Sequence, residues 1–190
     1  MALGVVAYLS STRTVGLTLG GKEKRPLEGW VDADWAGCQE TRRSTTGWII
    51  ELDSSPIVWS SRRQATISAS TVEAEYIAIT EAGREIMWLR ELLETLGYSQ
   101  PITTLRCDNQ GAIALAKKPS SHPRTKHIAI RYHQIREWAE QGMIRLEYVD
   151  TKSQKADILT KPLPGPAHAA CVQGIGLARP RKEEKDTVGL

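Results

Sequence analysis

The chain has 190 residues and a formal net charge of +3, enough length for one hydrophobic core with appended segments and too little charge to announce a polyanion partner by itself. With 41% hydrophobic and 25% charged residues it has the composition of an ordinary globular domain, which argues against a disordered or fibrous chain. Cys38, Cys107 and Cys171 are odd in number and lack C-x-x-C spacing, which argues against a disulfide framework or a zinc site and fits a reducing compartment.

The opening MALGVVAYLSS has no basic lead, and its apolar stretch is short. It reads as the tail of a helix cut by the chain start, not as a secretion signal, and no run is long enough to cross a membrane. A strand follows at 15–19, then the Gly20–Gly21 break. Three strands are predicted next, at 27–32, 46–52 and 57–61, the last two joined by the turn Asp53-Ser54-Ser55-Pro56. These short connections predict an antiparallel meander. A long helix is predicted from Ser70 to Leu96, stopped by Gly97. A buried strand at 102–107 leads to a short helix at 109–117, closed by Lys118-Pro119. A helix at 126–141, a strand at 144–149 and a short helix at 154–160 complete the pattern. The order is that of a mixed α/β sheet with helices packed against it. Residues 165–190 are punctuated by Gly and Pro and then charged, the composition of a flexible tail.

Four carboxylates stand at element ends inside apolar runs: Asp32 in GWVDADWAG, Glu75 in STVEAEYIAI, Asp108 in LRCDNQGAIALA and Asp157 in QKADILTK. A lone charge there is costly unless a cation or partner offsets it, so four together point to a hard divalent metal. The long helix separates one ambiguous pair. At roughly 100° per residue, Val72, Tyr76, Ile79, Gly83, Ile86, Leu89, Leu93 and Leu96 form one apolar arc. Glu75 falls inside that arc, and Glu73 falls outside it, toward solvent. Taken singly, Glu75 would equally suit a core acid paired to an arginine or capped by backbone donors, Asp108 a helix N-cap, and Asp157 a charge complementing a helix N-terminus. Asp32 and Asp34 share a strand face, and spacing leaves both open. Lys117, Lys118, Arg124, Lys126, Arg131 and Arg136 follow one another with no acid between Asp108 and Glu137. Such a block is a solvated face or a phosphate contact.

Taken in order, VDADWAG, RRSTTGW, VWSSRRQ, STVEAEYIA, MWLRELL, CDNQGAIALA, RTKHIAIRYHQIRE and ADILTKPL resemble the ribonuclease H domain of copia-type retrotransposon Pol polyproteins. The likeness runs from Gly29 to Leu163, and VVAYLSSTRTVGLTLGG resembles the end of the segment connecting reverse transcriptase to that domain. The resemblance implies a ribonuclease H-like fold, with a five-stranded mixed sheet, its first three strands antiparallel, and helices on both faces. It divides the chain into a truncated connecting segment (1–25), a ribonuclease H-like domain (26–164) and the tail (165–190). It also selects Asp32 over Asp34 and carries the family's metal-binding acids onto Asp32, Glu75, Asp108 and Asp157.

By that resemblance the four acids hold two Mg²⁺ ions, with Mn²⁺ as a substitute. Asp32 and Asp108 are shared, with Glu75 on one ion and Asp157 on the other, for hydrolysis of the RNA strand of an RNA–DNA hybrid. Ser70, Asn109 and Gln110 are placed to meet the 2′-hydroxyls of the RNA, and suit helix caps equally well. Arg124, Lys126, His127 and Arg131 are the candidate phosphate contacts. The expected partners are the hybrid and the parent polyprotein's reverse transcriptase, with the isolated domain monomeric and its setting the cytoplasm or virus-like particles. One departure stands out: many ribonucleases H carry a mobile histidine just before the last acid, where this chain has Asp150-Thr151-Lys152-Ser153. The competing readings are a catalytically silent module that only binds nucleic acid and an integrase-like enzyme on the same fold.

Overall fold

The computed structural model describes residues 2–17, 19–20, 24–117 and 133–178. Five strands form the main sheet: β2 (Glu28–Asp34), β3 (Thr45–Leu52), β4 (Ser55–Arg63), β5 (Thr103–Cys107) and β6 (Ile144–Tyr148). Their order is β4-β3-β2-β5-β6. The meander β2-β3-β4 is antiparallel, whereas β5 runs parallel to β2 and β6 parallel to β5. Asp53 and Ser54 turn β3 into β4 with φ of 53° and 60°, the two left-handed residues that a tight hairpin with matching twist requires. Pro56 lies in β4, an edge strand, where a missing N–H is tolerated.

The pleat gives the sheet two unlike faces. Val31, Trp48, Ile50 and Leu105 point to one side and form the core with Tyr76, Ile79, Ile86 and Leu89 of helix α2 (Thr71–Thr95). Helices α3 (Gln110–Lys117) and α4 (His133–Glu140) pack beside α2 on that side. Gly83 is the contact point with α4: a Cβ there would come within 2.9 Å of Ile135 and 3.0 Å of Trp138. The opposite face carries Trp30, Asp32, Gly47 and Glu51 and is covered by a 3₁₀ turn, Lys155–Leu159. Trp30 is held there between two cations, Arg106 at 5.0 Å and Lys155 at 4.0 Å from its ring. Lys155 also pairs with the buried Glu51 at 2.6 Å. Helices therefore cover both faces, as the resemblance implied.

Three expectations change. Leu96 leaves the apolar arc and is 61% exposed, because α2 ends at Thr95 and Leu96 is its C-cap. Glu73 does not face solvent: it is buried and accepts a 2.7 Å hydrogen bond from the Ala69 N–H, while the Ser70 hydroxyl accepts from the Glu73 N–H at 3.2 Å. The Ser70 cap satisfies a first-turn donor that no helical partner can reach, while Glu73 reaches back to the residue before the cap. Replacing Ser70 by Ala is expected to cost about 1 kcal/mol, read as a lowered midpoint in urea unfolding with an unchanged slope.

The third change concerns the part of the 165–190 segment, expected to be flexible, that is described; residues 179–190 lie outside the described residues. Residues 165–174 form helix α5 (Gly165–Gly174), packed on the Lys155–Leu159 turn, and β7 (Leu177–Ala178) pairs antiparallel with β1 (Gly16–Leu17). Apolar residues within the Gly- and Pro-punctuated stretch supply contacts that composition alone does not reveal. The Cys171 thiol lies 3.7 Å from the Gln154 carbonyl oxygen. At the other terminus, α1 (Ala2–Ser11) follows the expected helix, with Leu3, Val5, Val6 and Leu9 exposed.

Candidate active site

Asp32 sits near the C-terminal end of β2 and Asp108 one residue beyond β5, and because these two strands are parallel neighbours their acids emerge at the same sheet end. Asp157 descends from the 3₁₀ turn on the open face, and one oxygen from each of Asp32, Asp108 and Asp157 lies within 4.8 Å of the others. Glu75 approaches from α2 on the core side. With Asp108 and the Cys107 thiol it forms a second group within the same limit. All four acids chosen from the sequence thus converge on one sheet end.

The geometry also separates Asp32 from Asp34 and Asp108 from its structural alternative, whereas Glu75 keeps a backbone hydrogen bond from Ala33 and Asp157 lies in the first turn of its helix. Asp34 curls back over the following turn, where a Cβ on Gly37 would fall 1.8 Å from its Oδ2, and Asp32 is the residue that joins the cluster. Asp108 does not cap α3, because the Asn109 Oδ1 accepts from the Ala112 N–H at 2.9 Å instead. Glu75 faces the Cys107 thiol, 3.7 Å from its Oε2, with no arginine paired to it among the described residues. The short helix expected at 154–160 is a 3₁₀ turn, Lys155–Leu159.

Crowding of like charges leaves a clear electrostatic signature. Burial, with Asp32 and Asp108 adding repulsion, pushes the Glu75 carboxyl up to about 9. Burial also raises Asp157 to about 6, against the opposing pull of Lys161 and with Asp32 contributing repulsion. Asp34 is raised too, mainly by burial. Carboxyls raised by burial and further by one another's charge gain from a cation that offsets them. Among the described residues the Asp32–Asp108–Asp157 group offers three carboxylate oxygens, a set suited to a hard divalent ion; the thiol of Cys107 is buried in the core and contributes little to such a site.

Several residues that hold this arrangement escaped the sequence reading. The Gln154 side chain, 1% exposed, donates to the Val31 carbonyl at 2.9 Å and caps the Asp157 turn through the Ala156 N–H. It therefore ties Asp157 to β2, which bears Asp32. The Thr160 hydroxyl donates to Asp32 Oδ2, and the Thr151 hydroxyl donates to Asp108 Oδ2 at 2.8 Å. Lys161 reaches Asp157 Oδ1 at 2.9 Å and Asp32 Oδ2 at 3.6 Å. Its place four residues after Asp157 was the available signal. Lys152, in the position where a histidine was looked for, is exposed.

Gly47 permits the close seating of the turn. A Cβ there would lie 2.6 Å from the Thr160 methyl, 2.8 Å from Leu159 Cβ and 3.2 Å from the Ala156 carbonyl oxygen. Gly47→Ala should lever the turn away from β3, destabilising the protein by about 1–3 kcal/mol and spreading the acids. Thermal melts and Mn²⁺ titration of the variant check both consequences.

Of the expected nucleic-acid contacts, Ser70 and Asn109 are engaged as helix caps and Gln110 is exposed at the start of α3. Arg124, Lys126, His127 and Arg131 lie outside the described residues. Among the described residues no helix is long and apolar enough to cross a membrane.

A five-stranded mixed sheet of this order, with acids converging at the ends of β2 and β5, defines a ribonuclease H-like fold, and solved structures agree. The N-terminal ribonuclease H domain of rv2228c from Mycobacterium tuberculosis, solved as a maltose-binding-protein fusion, superposes with a TM-score of 0.53 at 16% identity, over 77% of this chain and 96% of that one. LC11-RNase H1 in complex with an RNA/DNA hybrid gives a TM-score of 0.50 at 15% identity, over 70% and 93%. No protein-family model matches. In sequence the chain is 39% identical over 173 residues to the retrovirus-related Pol polyprotein from transposon TNT 1-94 of Nicotiana tabacum, covering 91% of this chain. The chain is thus homologous to one segment of the Pol polyproteins of copia-type retrotransposons. It spans 13% of the length of that relative.

Proposed function

We propose that this chain is a metal-dependent endoribonuclease that hydrolyses the RNA strand of RNA–DNA hybrids. The observation that carries the reading is the meeting of Asp32, Asp108 and Asp157 oxygens within 4.8 Å, with Glu75 behind them, at one end of a ribonuclease H-like sheet. The RNA/DNA hybrid bound by the structurally similar LC11-RNase H1 supports the choice of substrate, and the Pol relative supports a role in reverse transcription beside a reverse transcriptase domain, inside the cell.

Asp32, Glu75, Asp108 and Asp157 would hold two divalent ions, Mg²⁺ or in its place Mn²⁺. Bound there, such ions activate water and offset charge on an in-line displacement at phosphorus. The protein's own contribution is positional. Gln154 and Gly47 fix the turn that carries Asp157, while Thr160 and Thr151 fix which oxygens of Asp32 and Asp108 are presented. Basic residues of the 117–131 stretch would track the phosphate backbone, with Arg124, Lys126, His127 and Arg131 as the contacts and Gln110 the best-exposed candidate for the 2′-hydroxyls; Arg136 is buried and donates to the Leu115 carbonyl.

The test is cleavage of an end-labelled RNA–DNA hybrid by the chain with Mg²⁺ and with EDTA, beside duplex DNA and duplex RNA. Metal-dependent cutting of the hybrid's RNA strand alone is expected. Hybrid binding without any cut would overturn the enzyme and leave a binding module. Cutting of duplex DNA would point to the integrase-like alternative.

A further inference from the structure

A cationic side chain already occupies part of the acid cluster. The Lys161 Nζ lies 2.9 Å from Asp157 Oδ1 and 3.6 Å from Asp32 Oδ2, and both acids belong to the group whose oxygens lie within 4.8 Å of one another. Lys161 is held in place by its neighbours on the chain. Thr160 is itself bonded to Asp32, and Asp157 lies four residues back, so the backbone sets the ammonium within reach of both acids. Asp34 and Asp108 add to the negative field around it. The lysine is not locked in, however. Its side chain is 34% exposed, and it lines an open cleft of about 540 Å³ together with Ile158, Leu159, Pro162 and Leu163. The apolar walls of that cleft suit a lysine stem whose ammonium has swung out to water.

A divalent ion bound to the same oxygens would sit within a few ångströms of this ammonium and repel it. We propose that Lys161 is a resident counter-ion of the acid cluster, one that a divalent cation must displace, and that it thereby sets the metal affinity of the site. The inference rests on the metal-binding reading above and deepens it. Lys161 is a positioning residue here: in the metal-free protein it holds Asp32 and Asp157 together against their repulsion, and on loading its stem moves into the cleft.

Titration calorimetry with Mn²⁺ alone, on the full chain and on Lys161→Met, tests the competition. The variant lacks the competing charge, and its affinity should rise by about tenfold. The variant should also melt at a lower temperature than wild type in EDTA, with the gap closing in Mg²⁺. A lysine that merely supported the fold would leave the gap open in both. Equal or weaker Mn²⁺ binding by the variant, with wild type binding normally, would overturn the counter-ion role and leave the metal site standing. Failure of wild type itself to bind would overturn the metal reading and this inference with it. Should Lys161→Met not fold, the wild-type protein decides: the Lys161 ¹³Cε resonance should move as Mg²⁺ is added, saturating with the site, and a resonance that stays fixed overturns the proposal.

Discussion

Asp108→Asn is expected to slow hybrid cleavage by roughly 10³-fold, the kinetic equivalent of about 4 kcal/mol of lost charge stabilisation at the reacting phosphate, while leaving the metal-free fold as stable or more so. The two halves of this expectation share one cause. Asp108 contributes an oxygen to the Asp32–Asp108–Asp157 group, and its charge helps to push up Glu75 and Asp157. An amide keeps the shape and can still accept from the Thr151 hydroxyl, which lies 2.8 Å away, but it carries no charge to bind metal or repel neighbours. The melting temperature in EDTA should therefore hold or rise by a few degrees as activity disappears. Undiminished cleavage would remove Asp108 from the site. Loss of activity together with a lowered melting temperature would mean that the substitution damaged the fold instead.

The second large effect concerns pH. Glu75 moves from an ordinary value of 4.5 to about 9 in the folded chain, first through burial and then through Asp32 and Asp108. Between those limits the unfolded chain has released a proton that the folded chain still holds. Stability of the metal-free protein must then fall as pH rises from about 4.5 to about 9, by a few kcal/mol in total. Asp157, raised to about 6, adds a smaller contribution of the same sign at the acidic end. Urea unfolding in EDTA at pH 5, 7 and 9 reads the slope directly, and Glu75→Gln should flatten most of it. Adding Mg²⁺ should have its largest stabilising effect at the alkaline end, where it replaces the missing proton as counter-charge. Stability that climbed with pH across this window would show that Glu75 ionises freely and that the acids are not crowded.

Much of this site was legible because carboxylates inside apolar runs are conspicuous. The helical arc on α2 pointed to Glu75 by period alone, and the fold places that residue against Cys107 and the sheet. The same period failed for Glu73, since its burial comes from a local cap with Ser70 and not from the face it occupies. Period also overran at Leu96, beyond the end of α2. Strand alternation could not divide Asp32 from Asp34. What divides them is the turn after β2, which draws Asp34 over Gly37.

The sequence by itself pointed to most of the elements up to residue 160, to the meander with a turn within Asp53–Pro56, and to the four acids, because these rest on local propensity, periodicity and the high cost of burying an unpaired charge. Only the tertiary structure decided how the acids are held. Gln154 reaches Val31 across 123 positions, and Thr160 reaches Asp32 across 128. Gly47 matters because a turn from more than a hundred residues away lands on it, and Lys161 because the seating of that turn beside β2 brings Asp32 to the ammonium that Asp157 already meets. Contacts of that range leave no period or motif in the chain: each depends on where the sheet sets two segments side by side, which no window of sequence contains.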